Sequence, residues 1–162
     1  MKNIIIILLL FFIPFAGQSQ PKNRGLKIVT TFTAWSILNG IGDGLNDNGH
    51  KGYGHAVNAL SVATLVVGLI ASEPDLREII PYFVSVTGIR YASFDASYNL
   101  TRHLPYDYIG TTAPGDVFLA KVPGNFRTFT KGITLITTIG FTFNTLNHKK
   151  SFRKNKIFDK FQ

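Results

Sequence analysis

Asp43, His55 and Asp95 are the side chains in this 162-residue chain whose types could carry acid/base or metal chemistry. One histidine and two aspartates can ligate a divalent cation, with water completing the shell. The same trio can act as base, orienting group and electrostatic partner. Each falls in or beside an apolar segment, where a polar group costs free energy unless it finds a partner. Their spacing lacks the signature of a His-Glu-x-x-His pair. They meet only if three separate segments pack as neighbours. These residues leave open both the cofactor and whether a metal binds.

A second set of residues suits binding: Asn39, Asn58, Arg90, Asn99 and Arg102. At 100° per residue, Asn39, Asp43 and Asn46 lie within about 60° of one another. His55 and Asn58 are three apart and share a helical face. Tyr91, Asp95, Tyr98, Asn99 and Arg102 form one stripe. Arg90 sits roughly 140° from Asp95 on the same helix, so it needs a partner on another one. Asp43 is the nearest candidate in type. A charge pair that holds helices in register is the plainer reading of these groups.

Other motifs are absent. The glycine-rich stretch around Asn46-Asp47-Asn48-Gly49 fits neither the P-loop nor the dinucleotide fingerprint, and reads as a turn. Gly54 stands where a calcium loop counted from Asp43 needs glutamate. No Gly-x-Ser-x-Gly elbow occurs. His50 and His103 fall in expected loops. The chain has no cysteine, which excludes disulfides, thiol nucleophiles and Cys-ligated zinc.

The elements that would position these residues are helical. We expect an all-α domain, a bundle of about four helices, over 20–147. The helices are expected at Leu26 to about Asp43, His55 to Ser72, Leu76 to Arg102 and Thr128 to Asn147. Small residues Ala59, Ser61, Ala63 and Gly68 permit close packing of the second helix. Glu73-Pro74-Asp75 ends it, because proline disfavours helical geometry in the preceding residue. Ser72 or Asp75 is expected to cap the third, with Glu78 completing a capping box after Asp75. The fourth is rich in threonine, whose hydroxyls bond between helices in a membrane. A long connection, His103 to Arg127, carries three prolines, Tyr106, Tyr108 and Phe118, with a short helix expected at Asp116 to Lys121. Loops of this length are often functional.

The two ends differ from the middle. Lys2, the apolar run Ile4 to Phe15 and the small residues Ala16 to Gln20 form the layout of a secretory signal peptide over 1–19. Twelve apolar residues fall short of the roughly 20 that span a bilayer. The tail, 148–162, holds six basic residues against Asp159 and so contributes +5 of the net charge of +8. Ile157, Phe158 and Phe161 interleave with its lysines, which suits an anionic lipid surface. Nucleic acid is not expected as a partner of an exported protein.

These features predict an exported protein of a bacterial-type cell envelope, in the inner membrane or the periplasm. Mean hydropathy is only slightly positive, and four spans after an exported N-terminus would leave the basic tail outside, against the positive-inside tendency. Three functions follow as expectations. One is a structural or ligand-binding envelope protein with an interhelical polar network. Another is a membrane-associated hydrolase or other acid/base enzyme using Asp43, His55 and Asp95. The third is a transporter or channel component.

Overall fold

In a computed structural model, residues 24 to 158 are described, except 74 and 111 to 113. The expected signal peptide and the last four residues of the tail lie outside them. Among the described residues every regular element is helical: α1 (Arg24–Asp47), α2 (Lys51–Ser72), a 3-10 turn (Leu76–Glu78), α3 (Ile79–Thr101), α4 (Pro114–Ala120) and α5 (Gly124–Phe158). The all-α bundle expected from the apolar segments is present. The boundary expected at 147/148 falls inside α5, whose backbone carries on into the basic segment.

Helix α1 is the hub. It packs on α2, α3 and α5, and α3 also packs on α5. It runs further than expected, because Gly40, Gly42 and Gly44 are not turn residues. They are buried in the helix, at points where neighbouring helices come too close for a side chain. A Cβ on Gly40 would stand 2.6 Å from the Phe94 carbonyl of α3, and one on Gly44 2.8 Å from Thr101 Cβ. On the α2 side, a Cβ on Gly42 would stand 2.0 Å from Asn58 Oδ1, and one on Gly54 2.6 Å from the Gly42 carbonyl. Gly68 lies against Thr31 in the same way. Tertiary packing here overrides the weak helical propensity of glycine.

The turn signal does act, one step later. Gly49 has φ +84°, its N–H donates to the Asn46 carbonyl at 3.1 Å, and the His50 N–H donates to Leu45 at 2.9 Å. These paired bonds are a Schellman stop. Helix α3 ends the same way, with His103 at φ +56° in the position that glycine usually fills. The His103 N–H donates to Leu100 and the Leu104 N–H to Asn99. The expected capping box does not form. The Glu78 side chain is spent on Arg24 instead.

The apolar core is small: Ile28, Val29, Phe32, Ile89 and Leu146, flanked by residues such as Leu65, Tyr82, Val86 and Phe143. Much of the remaining interior is hydroxyl. Ser36, Ser61, Ser85 and Thr142 are fully shielded. Their oxygens bond back to the preceding turn or across helices, as in Ser93 to Ser36 at 2.9 Å and Ser85 with Thr142 at 2.6 Å.

Gly42→Leu is expected to cost about 3 kcal/mol or more by forcing α1 and α2 apart. Gly52→Leu, where nothing lies within 4 Å of the added Cβ, should stay within about 1 kcal/mol of the parent. Thermal unfolding of the two variants checks the contrast. His103→Gly should raise stability by about 1 kcal/mol by relieving a left-handed residue, read as a higher unfolding midpoint.

Candidate functional site

Asn39 and Asp43 are one turn apart on α1, so they share a face. Asn58 of α2 and Arg90 of α3 reach that face from opposite sides. Arg90 donates to Asn39 Oδ1 at 2.7 Å, Asn39 Nδ2 donates to Asn58 Oδ1 at 3.3 Å, and Asn58 Nδ2 donates to Asp43 Oδ1 at 2.8 Å. Arg90 therefore does take an interhelical partner, but the partner is Asn39. Asp43 lies at the far end of the string, separated from the cation by two amides. All four residues are half-buried.

Arg90 is also held between rings. Its guanidinium carbon lies 5.0 Å from the centre of Trp35 and 4.2 Å from that of Phe94. Phe94 stacks on Tyr98 at 6.1 Å, and Arg102 lies over Tyr98 at 5.5 Å. Residues 90, 94, 98 and 102 follow one another at helical spacing, so the cations and rings make one column along α3. At its outer end the Tyr98 hydroxyl donates to Asp47 and accepts from Arg102 at 2.8 Å. That bond with Tyr98 pushes the Arg102 guanidinium above its ordinary range.

The other expected site residues go elsewhere. Asp95 pairs with Lys131 of α5 at 2.7 Å, and Lys131 also faces the Tyr91 ring at 5.8 Å. His55 is exposed on α2. Asp43, His55 and Asp95 are thus not drawn into one constellation. Among the described residues, no group of three His, Asp or Glu side chains is placed to hold a metal ion. Asn99, only 1% exposed, donates to the carbonyls of Tyr106 at 3.1 Å and Tyr108 at 2.9 Å. Its role is to hold the long connection against α3. Arg127 does the same from α5, donating to the carbonyls of Asp107, Leu119 and Val122. Tyr106 and Tyr108 themselves are exposed.

Two charged sites escape a reading by segment. Lys131 precedes the uncharged part of α5, and only its helical register places it under Asp95. Arg24 precedes the apolar part of α1. It is buried, donates to Glu78 Oε1 at 2.7 Å and to the carbonyls of Ser72 and Glu73, and reaches Tyr82 at 3.2 Å. Its second contact to Glu78, Nη2 to Oε2 at 2.6 Å, is an ion contact without hydrogen-bond geometry. Arg24 thereby serves carbonyls that the end of α2 leaves open. The antiparallel order of α1 and α2 is the signal that brings Arg24 to Ser72.

No protein-family model, curated protein or solved structure matches the chain. The site is therefore read from its own geometry. It offers a fixed string of amides between unlike charges and one guanidinium framed by rings.

Asn99→Ala should cost roughly 2–4 kcal/mol, since two carbonyls lose their donor. Limited proteolysis should show cleavage between 103 and 123 well before the helices are cut.

Proposed function

We propose that this chain is a small helical protein of the cell envelope, seated in the membrane, whose Arg90–Asn39–Asn58–Asp43 string is a structural and ligand-binding polar centre. One observation carries the reading: large apolar side chains face outward on three helices, while much of the interior around the small apolar core is hydroxyl. Ile70, Phe83 and Ile136 are 71%, 68% and 72% exposed, while Ser36, Ser61, Ser85 and Thr142 are fully buried. Each large apolar side chain left in water forgoes about 1.5–3 kcal/mol of burial. The exposed set spreads over α2, α3 and α5, and large apolar side chains gathered on a surface mark a membrane or interaction face.

Interhelical packing through glycine and hydroxyl residues is the mode that operates where lipid removes the hydrophobic drive. Among the described residues, α2 is the helix long and apolar enough to cross a bilayer, and little of it is buried. No charge falls between Ile28 and Gly42 on α1, between Ala56 and Ser72 on α2, or between Gly132 and Asn147 on α5. Arg24 with Glu78 lies at one end of this band, and Asp47 with Arg102 at the other. The signal-like N-terminus supports export, and the basic tail supports attachment to anionic lipid. An acid/base enzyme using Asp43, His55 and Asp95 has less behind it, because Asp95 is neutralised by Lys131 and His55 stands outside. A transport path would need charges that α2 and α5 do not supply.

Carbonate extraction with a reporter fused at the C-terminus tests the reading. The chain should remain in the membrane pellet, the N-terminal segment should be removed on export, and the reporter should give the side of the tail. Release of the whole chain into the carbonate supernatant would sink it.

A further inference from the structure

Arg90 carries five N–H donors in a fixed fork. Asn39 takes one of them. Among the described residues, no carboxylate lies within ion-pair distance of it, and Asp43 is reached only through two amides. The residue is half-buried, and the two nitrogens that Asn39 leaves without a partner, Nε and Nη2, are not among the fully buried atoms. Trp35 and Phe94 flank it, with ring centres 5.0 Å and 4.2 Å from its central carbon. An arginine so held presents unused donors in an orientation set in advance, which is the arrangement that recognises phosphate oxygens in two-point fashion.

We propose that Arg90 binds a phosphate group through the guanidinium nitrogens that Asn39 leaves unused. This rests on the membrane reading for the source of the group and on the geometry alone for its chemistry. From Ile79 to Arg90 the helix rises roughly 16 Å, at 1.5 Å per residue. Asn39, which Arg90 touches, is one turn from Asp43, close to the end of the bundle marked by Asp47 and Arg102. Arg90 itself is about three turns from Arg102 along α3, but its side chain extends toward that end, over Phe94 one turn on, which carries the guanidinium closer to the headgroup level than its backbone. The Asp43 carboxylate does not oppose the anion directly. The string of amides orients its acceptors toward Arg90 and its donors toward Asp43, so both charges are served at a distance.

The chain carries a single tryptophan, Trp35, and it lies against the guanidinium. Its emission reports on this site. The test uses the full chain in phosphate-free maltoside micelles, alone or with phosphatidylglycerol added. In parallel, the detergent-solubilised chain is titrated with inorganic phosphate, with sodium chloride at equal ionic strength as the control. Native mass spectrometry reads co-purifying phospholipid. Wild type is expected to shift its Trp35 emission with phosphatidylglycerol and to retain that lipid. Arg90→Lys keeps the charge but loses the fork, and is expected to bind about tenfold more weakly. Arg90→Gln should lose the response, with helicity checked by circular dichroism. If that variant fails to fold, Arg90→Lys decides the matter.

A response to phosphatidylglycerol alone assigns a lipid headgroup. A response to inorganic phosphate as well, or instead, assigns a general phosphate site. No response to either phosphate source, or equal responses in wild type and Arg90→Lys, overturns the proposal. A chain that stays out of the membrane pellet on carbonate extraction while responding to inorganic phosphate overturns the membrane reading and leaves the phosphate site standing.

Discussion

The bundle depends on how closely α1 approaches its neighbours. Gly42 and Gly54 bring α1 onto α2 with carbonyl oxygens where side chains would otherwise be. Gly40 and Gly44 do the same toward α3. This proximity is what lets short side chains act across interfaces. Asn39 reaches Asn58, and Ser93 reaches Ser36, because the backbones are already near. A wider spacing would need longer polar groups, and these carry more rotamer entropy to lose. The polar centre is therefore a product of the glycine contacts as much as of the polar residues themselves.

The charged groups divide by position. Arg24 and Glu78 close one end of the bundle by serving the terminus of α2. Asp47, Tyr98 and Arg102 tie α1 to α3 at the other. Asp95 and Lys131 join α3 to α5. Each pair bridges elements distant in sequence. Breaking one side of a buried pair strands a charge, whereas forming it adds modest stability. Their clearest physical role is to reject alternative registers of the same apolar helices.

The helices were legible because each coincides with a long apolar run bounded by proline or glycine. Their limits were less so. Gly40, Gly42 and Gly44 look like a turn in isolation, and only the backbone of another helix explains them. Arg90 was legible as a bridging residue, since its own helix turns it away from Asp95. Its partner was not, because a carboxylate is the obvious complement of a guanidinium and an amide is not. Asn99 gives no sign in the sequence that it fixes a loop seven to nine residues ahead. Arg24 and Lys131 sit just outside the apolar runs, where a charge looks solvated until helix order brings a neighbour to it.

The string between Arg90 and Asp43 has one property that its distances do not state. A carboxamide can rotate half a turn and occupy the same space with donor and acceptor exchanged. Alone, Asn39 and Asn58 would be free to choose. The guanidinium accepts no hydrogen bond and the carboxylate donates none, so the two ends dictate one sense for both amides. The sequence of dipoles is vectorial, and its direction is written by the terminal charges. Neutralising either end removes an instruction as well as an interaction, and the amides beyond it lose their common orientation.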